Sequence, residues 1–204
     1  MKSMHSIGLL TPVILAAGCS GMPGAAAEDK AHNEEHTGLV SMGGQPVTLI
    51  GHEVEVGKEA PDFTAVDAGY QPVTLSSFRG KAVLISAVPS LDTGVCAMQT
   101  KRFNEEMAKV EGDVAALTIS LDLPFAQKRF CDAEKIGDIQ VVSDCVDREF
   151  ALKYGILIKG RGLLARSIFV VGKDGTLVYK EIVPEITTHP DYDAALEALR
   201  KAAE

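Results

Sequence analysis

The chain has 204 residues, a formal net charge of -8 at pH 7, 46% hydrophobic residues and 24% charged residues. This balance is that of an ordinary globular protein and excludes a disordered or collagen-like chain. The acidic excess argues against non-specific binding to nucleic acid or to an anionic membrane surface, because both need a surplus of positive charge. We expect protein or small-molecule partners and no nucleic acid.

The amino-terminal segment has the features of a secretion signal. Lys2 precedes an apolar run over residues 7–17, which is too short to span a bilayer and has the length of the central part of a signal peptide. The run ends in Leu-Ala-Ala-Gly-Cys at positions 15–19, which resembles a bacterial lipobox with Ala16 in place of the usual leucine. Lipidation of Cys19 is the favoured interpretation, and a cleaved peptide in which Cys19 has no role is the alternative.

These features divide the chain into three parts. Residues 1–18 are predicted to be a signal peptide of the lipoprotein type. Residues 19–37 are rich in Gly, Ala and charged side chains without apolar periodicity, which predicts a flexible linker. Residues 38–204 are predicted to form one domain. The expected location is therefore extracytoplasmic, in the periplasm, with a lipid on Cys19 as the membrane anchor.

Short apolar runs separated by turn residues indicate the elements of the domain. A β-hairpin is predicted from residues 39–42 and 47–50, with glycines in the intervening turn. Further strands are predicted at residues 73–75, 81–88, 114–121, 139–143, 164–171 and 176–183, and helices at residues 96–110, 122–135, 148–154 and from 192 onwards. This order predicts an α/β fold, a thioredoxin-like sandwich with an N-terminal β-hairpin.

Cys96 occupies a favourable position for a reactive thiol, the first turn of the helix that follows the strand at residues 81–88. Free amides and the helix dipole stabilise an anion there by about 0.3 to 1 kcal/mol. Burial of the charge opposes this contribution and can exceed it. A fixed cation would reverse the balance, because two unit charges about 4 Å apart interact by roughly 4 kcal/mol at an effective dielectric of about 20.

Arg166 is the candidate for that cation. It lies inside the apolar run at residues 164–171 and is predicted to share a strand face with Leu164, Ile168 and Val170. A guanidinium on such a face is costly to bury unless it meets an anion. An arginine at a strand end that reaches solvent is the alternative, and the reactive position of Cys96 favours pairing.

Residues near the two predicted helix starts have candidate roles. Thr93 could bond the sulfur of Cys96 or cap the helix by accepting from a first-turn amide. Pro89 ends the preceding strand and could shield a thiolate from water. Asp122 is predicted to cap the helix at residues 122–135 with its carboxylate.

The segment Pro89-Ser-Leu-Asp-Thr-Gly-Val-Cys96 resembles the P-x-x-x-T-x-x-C motif of the peroxiredoxins, and its PS-x-DTGVC form is similar to their thiol peroxidase branch. Segments at residues 57–63, 122–131 and 185–192 resemble further signatures of that branch, in the same order. The resemblance covers residues 38–202 and implies a thiol-dependent peroxidase. No cofactor or metal site is predicted.

By that resemblance Cys96 is the peroxidatic cysteine, with Thr93, Arg166 and Pro89 around it, and Cys131 is the resolving cysteine. Cys131 would condense with the sulfenic acid on Cys96 to form an intramolecular disulfide. The resemblance also implies hydrogen peroxide and organic hydroperoxides as substrates, thioredoxin or a similar dithiol protein as reductant, and a homodimer. Cys145 matches no family role, and we expect it to be structural.

Formation of a Cys96–Cys131 disulfide implies movement of the chain. A disulfide needs Cα atoms about 4.4 to 6.8 Å apart, whereas the two cysteines lie on different predicted helices. We therefore expect local unwinding at residues 93–98, at residues 126–133, or at both, in each cycle.

Two other functions are alternatives. An extracytoplasmic thiol-disulfide reductase of thioredoxin fold would need C-x-x-C, but Ala-Met-Gln follows Cys96. A non-enzymatic redox-sensing or metal-binding lipoprotein would use Cys96, Cys131 and a histidine as ligands. His52 and His189, the histidines of the predicted domain's core, are not spaced near a cysteine.

Overall fold

The computed structural model describes residue 1 and residues 34–204. The predicted signal peptide, Cys19 and most of the predicted linker lie outside the described residues. In the part of the chain that is described, no helix has both the length and the apolar character needed to cross a membrane.

The described elements follow one another along the chain as strands with interspersed helices. The strands are β1 (Glu35–Met42), β2 (Gln45–Ile50), β3 (Thr64–Val66), β4 (Pro72–Thr74), β5 (Ala82–Ala87), β6 (Val114–Ser120), β7 (Gln140–Ser143), β8 (Leu157–Ile158), β9 (Leu163–Leu164), β10 (Ser167–Val171) and β11 (Leu177–Ile182). The helices are α1 (Gly94–Met107), α2 (Pro124–Glu134), α3 (Glu149–Lys153) and α4 (Tyr192–Ala203), and Leu75–Phe78 forms a 3-10 turn.

The strands form two sheets. A seven-stranded central sheet has the order β11-β10-β5-β6-β7-β3-β4, in which β5, β6 and β7 are parallel and the other pairs are antiparallel. A four-stranded sheet of order β1-β2-β8-β9 contains the N-terminal hairpin. The predicted α/β, thioredoxin-like fold with an N-terminal hairpin is confirmed.

Strand β5 is covered on both faces, which explains its continuous apolar sequence. Val83 and Ile85 point into a core shared with the hairpin sheet and α3. Ala82 and Leu84 point to the other face, where they pack with residues of α1 and α4. Because side chains alternate along a strand, β5 contributes residues to both cores. Since β5, β6 and β7 are parallel, their carboxyl ends lie together at one end of the sheet.

Strand β1 begins earlier than the sequence predicts. Its pairing with β2 starts at Glu35 opposite Ile50, so residues 35–37, assigned to the linker, belong to the hairpin. The pairing there is made by the backbone, and the side chains of β1 are mostly exposed or partly exposed, so no apolar periodicity marks them.

The predicted strand at residues 164–171 is two strands in different sheets. Leu163 and Leu164 pair with β8 in the hairpin sheet, whereas β10 starts at Ser167 in the central sheet. Arg166 lies between them and is not part of a strand. Apolar residues lie on both sides of Arg166 and Ser167 because both sheets are buried at this point, and apolar composition does not reveal a change of sheet.

Candidate active site

Cys96 is the third residue of α1, directly after the loop that follows β5. Its side chain is fully buried, and it belongs to a small apolar cluster with Val88 and Leu91, against which Phe130 and Val141 pack. Pro89 is also buried and lies inside this loop. The sulfur therefore sits at the carboxyl end of a central strand, next to the first-turn amides of a helix and away from bulk water.

The Arg166 side chain reaches this sulfur from the connection between β9 and β10. It is 2% exposed, and each of its three nitrogens meets a different partner. Nη2 donates to Cys96 Sγ at 3.3 Å, Nη1 donates to Gln99 Oε1 at 2.5 Å, and Nε donates to the Ile186 carbonyl at 2.8 Å. The predicted pairing of Arg166 with Cys96 is therefore present, although Arg166 is not on a strand.

The charge of Arg166 has one candidate counterion among its contacts. None of the ion pairs within residues 34–204 involves Arg166, and its other two hydrogen bonds go to neutral oxygens. Opposite unit charges 3.3 Å apart attract by roughly 5 kcal/mol at an effective dielectric of about 20. Among the described groups that Arg166 hydrogen-bonds, the Cys96 sulfur is the one that can carry a negative charge, and a buried guanidinium without a counterion is costly.

Gln99 is a site residue that the sequence reasoning missed. Its side-chain oxygen accepts from Arg166, and its nitrogen donates to Ser86 Oγ on β5 at 2.8 Å. The amide therefore fixes one edge of the guanidinium against the central sheet. The spacing could have indicated it, because a residue three positions after Cys96 lies on the same face of a helix.

Thr93 occupies the N-cap position of α1 but makes neither of the two predicted contacts. Its hydroxyl donates to the Ser90 carbonyl at 3.0 Å, and its side chain caps no amide of the first turn. The side chain is exposed at the mouth of the site. Because the hydroxyl proton is used within the loop, the free lone pairs of the oxygen are left to accept a hydrogen bond from a bound molecule.

The sequence predicts that Asp122 caps α2, but in the structure it does not. The N-cap residue is Leu123, and the Asp122 carboxylate instead accepts from Ser90 Oγ, the Leu91 amide and Ser120 Oγ, each at 2.8 Å. It thereby ties the loop before α1 to the end of β6. The proline at the start of α2 leaves one fewer amide to cap, so the carboxylate is free for the loop.

Cys131 lies on α2 as predicted and is half-buried. Burial, together with the neighbouring charge of Asp132, raises the pKa of the Cys131 thiol. Its neighbour Phe130 packs against the cluster that contains Cys96. Cys96 and Cys131 are both free thiols in this structure. Cys145 is a third free, half-buried thiol, in the turn after β7.

Within residues 34–204, no group of three or more His, Cys, Asp or Glu side chains is close enough to hold a metal ion. The functional groups that the structure shows at the site are its thiol, its guanidinium and the hydrogen bonds around them. A sulfur nucleophile held beside a cation and first-turn amides can attack an electrophilic atom and stabilise the negative charge that leaves it.

Comparisons with known proteins agree with this chemistry. The Redoxin family model matches residues 55–196. The thiol peroxidase of Listeria innocua is 51% identical over 157 residues, which is 77% of this chain and 94% of the relative. The thiol peroxidase of Bacillus subtilis is 48% identical over 161 residues, which is 79% of this chain and 96% of the relative.

Solved structures resemble the described fold over nearly their whole length. A peroxiredoxin-like protein from Aquifex aeolicus superposes with a TM-score of 0.76 at 41% identity, covering 82% of this chain and 99% of the other. The thiol peroxidase from Chromobacterium violaceum gives a TM-score of 0.71 at 22% identity over 79% of this chain and 95% of the other, a likeness of fold alone. With a family model that matches most of the chain and relatives near half identity, the protein belongs to the thiol peroxidase branch of the peroxiredoxin family.

Proposed function

We propose that this peroxiredoxin-type peroxidase reduces hydrogen peroxide and organic hydroperoxides at Cys96 and resolves the product with Cys131. The observation that carries the proposal is the buried contact of 3.3 Å between Arg166 Nη2 and Cys96 Sγ. A guanidinium placed this way stabilises the attacking thiolate before reaction and the leaving oxygen during it.

In the first step the Cys96 thiolate attacks the terminal oxygen of the hydroperoxide. A sulfur–oxygen bond forms and the oxygen–oxygen bond breaks, which leaves a sulfenic acid on Cys96 and releases an alkoxide, or hydroxide from hydrogen peroxide. The released anion takes a proton from solvent and departs as an alcohol or as water. Arg166 and the first-turn amides of α1 stabilise the charge as it moves to the leaving oxygen.

Thr93 contributes by orientation. Because its hydroxyl donates to the Ser90 carbonyl, the oxygen can only accept from a bound peroxide. The O–H of a hydroperoxide is its terminal group, so accepting this proton turns the terminal oxygen towards the sulfur. The Asp122 carboxylate holds Ser90 and thus keeps the threonine in place.

In the second step the Cys131 thiolate attacks the sulfenic sulfur. A disulfide forms, and the hydroxyl on Cys96 leaves as hydroxide, which is protonated to water. The construction of α2 supports movement of Cys131. The buried residues of α2 are Pro124 and Gln127, both in its first half, and Gln127 is fixed by Ser120 and by the Val142 carbonyl. The second half of α2 contributes none of the fully buried residues.

The end of α2 is also held weakly. Its last turn is followed by Lys135 at φ 56°, a left-handed conformation that is unfavourable for a residue with a side chain. The tie between this turn and α1 is an exposed ion pair of Lys101 with Glu134 at 2.7 Å, and such pairs contribute about 0 to 1 kcal/mol. Unwinding of residues 128–134 therefore displaces no fully buried side chain of α2, and its main packing cost is the partly buried Phe130.

The remaining parts of the proposal concern the partners and the location. We propose that thioredoxin or a similar dithiol protein reduces the disulfide by thiol exchange, which oxidises the partner's two thiols to a disulfide. A homodimer, an extracytoplasmic location and lipidation of Cys19 complete the proposal. The signal-like sequence of residues 1–18 supports the extracytoplasmic location. In that compartment another dithiol protein would act as the reductant.

Arg166→Lys should lower the rate constant for reaction of the reduced protein with peroxide by about 100-fold, because one ammonium cannot reproduce three separately directed N–H donors. The measurement is single-turnover stopped-flow kinetics. Arg79→Lys is the matched control, since Arg79 lies on the surface and pairs with Glu59. An Arg166→Lys rate within twofold of the wild type would contradict the role given to the guanidinium.

Cys96→Ser should abolish peroxide consumption with a thioredoxin regenerating system, whereas Cys131→Ser should consume one equivalent and then stall as sulfenic acid. Cys145→Ser, which removes the other half-buried free thiol, should turn over at the wild-type rate. Steady turnover by Cys131→Ser would exclude Cys131 as the resolving residue. In the oxidised wild-type protein, a pair of disulfide-linked peptides that contain residues 96 and 131 would identify the bond directly.

Amide exchange should be faster in the oxidised protein than in the reduced protein over residues 93–98 and 126–133. We expect the larger increase at residues 128–134, because the buried anchors of α2 lie before them. Exchange mass spectrometry of the two redox states measures it, with β5 as the internal reference. Equal protection in both states would argue against local unwinding.

Cys19→Ser should release the protein from the membrane fraction of a bacterial host that secretes it, since removal of the sulfur removes the point of lipid attachment. The wild-type protein should carry a mass increase of lipid size on the peptide that begins at residue 19. A wild-type protein found in the soluble fraction without that mass would contradict lipidation and leave the plain cleaved signal.

A further inference from the structure

The N-terminal hairpin has no part in the chemistry described above, yet it is joined to the segment at residues 183–188 that contacts Arg166. The Ser41 amide donates to the Pro184 carbonyl at 2.7 Å, and the Ile186 amide donates to the Ser41 carbonyl at 2.9 Å. Strand β1 thus pairs in parallel with this segment over a single residue. A contact so short would be weak without further support.

The support comes from the Glu185 carboxylate, which accepts five hydrogen bonds. Two are from the amides of Gly43 and Gly44, each at 2.9 Å, and one is from Ser41 Oγ at 2.8 Å. The other two are from the amide and hydroxyl of Thr187, at 3.0 and 2.6 Å. These bonds, led by that of the Thr187 hydroxyl, hold the pKa of Glu185 far below its usual range.

The turn of the hairpin is built to make this contact. Gly43 and Gly44 have φ of 60° and 75°, the left-handed conformations of a two-residue hairpin turn that glycine adopts without strain. In this conformation their two consecutive amides converge on one carboxylate. The residues concerned are more than 140 positions apart in sequence, so the bond set joins two distant parts of the chain.

The segment held in this way brackets Arg166 from two sides. The Val183 amide donates to the Arg166 carbonyl at 2.9 Å, and the Ile186 carbonyl accepts from Arg166 Nε at 2.8 Å. The position of the Ile186 carbonyl therefore sets the direction of the guanidinium, whose other end contacts Cys96. Ile186 itself is buried, which leaves little room for the carbonyl to adjust by local rotation.

We infer that Glu185 is a positioning residue for the peroxidase reaction, which it serves by clamping the hairpin turn to the segment that orients Arg166. The inference rests on the proposed function of Arg166 and adds to it a role for the N-terminal hairpin. Glu185 touches neither Cys96 nor Arg166 through its side chain among the hydrogen bonds of the described residues. Its effect passes through the backbone of Ile186.

Glu185→Ala should lower the rate constant of reduced protein with hydrogen peroxide by about 10-fold, since small misplacement of a catalytic group has effects of this order. The pH midpoint of that rate should move upwards. The direction is informative, because mere removal of a negative charge near the site would favour the thiolate and move the midpoint downwards. Single-turnover kinetics over a pH series measures both quantities.

Glu185→Gln separates the hydrogen bonds from the charge. The amide oxygen can keep the bonds from Gly43 and Thr187, and the amide nitrogen can donate to the Ser41 hydroxyl, so that the bond from Gly44 is the one lost. We expect a rate within about threefold of the wild type, since one of several bonds to the clamp is removed.

Asp174→Ala is the matched control. Asp174 accepts from the amide and hydroxyl of Thr176, as Glu185 does from Thr187, but it lies in the turn after the far end of β10. It should lower the melting temperature and leave the rate and its pH midpoint unchanged. If Glu185→Ala behaves in the same way, losing stability with the wild-type rate and midpoint, the positioning role is refuted.

Two further measurements keep the test decisive. If Glu185→Ala does not fold, Glu185→Asp shortens the side chain and draws the carboxylate away from both Gly43 and Gly44. A slower reaction with a raised midpoint supports the inference, whereas wild-type values overturn it. Alkylation of Cys96 by iodoacetamide over the same pH series needs no peroxide. A raised alkylation midpoint in a protein that does not reduce peroxide would uphold the positioning role while rejecting the proposed function.

Discussion

The contact on which the site depends is that between a buried guanidinium and a buried thiol, without a carboxylate partner for the arginine among the described residues. A charge of this kind in the interior of a protein must be neutralised or hydrogen-bonded. Arg166 meets this requirement with two neutral oxygens and one sulfur. Cys96 is thus the only one of these three partners whose side chain can carry a negative charge, and it is also the nucleophile of the proposed reaction.

Much of the surrounding structure serves to keep these two side chains in register. Gln99 joins the guanidinium to β5 through Ser86, and the Ile186 carbonyl holds it from the opposite side. The loop before Cys96 is fixed by Asp122 at the end of β6. Each support comes from a different element, so the geometry is set by the tertiary fold rather than by the helix alone.

The sequence was sufficient to predict the elements that have a clear apolar pattern and the contact of Arg166 with Cys96. Strands β5 and β6 and the helix after Cys96 are confirmed near their predicted positions, because burial on both faces or on one stripe leaves a readable period. The two-residue strands β8 and β9 were not predicted, since each spans a single period of the strand alternation, which is too short to form a pattern. The break before β10 was not predicted for another reason, because apolar residues lie on both sides of it and Arg166 can also be accommodated in a strand.

Polar side chains were the least predictable part of the site. Thr93 and Asp122 stand where a capping residue is expected, yet Thr93 binds the Ser90 carbonyl of its own loop and Asp122 binds Ser90, which is distant in sequence. Gln99 had a detectable helical spacing, whereas the Ile186 carbonyl had none, because any residue has a carbonyl. Partners chosen by tertiary approach leave no trace in local periodicity, and this limits what a single chain reveals.

The second half of α2 has a consequence for attempts to engineer this protein. It carries Cys131 on a segment with few buried contacts and a left-handed residue at its end. A substitution that improves this helix, for example by filling its outer face or relaxing Lys135, would raise the melting temperature of the reduced enzyme. If Cys131 resolves as proposed, the same substitution would penalise the open conformation that this step needs, so heat resistance and catalytic throughput would be set against each other at this helix.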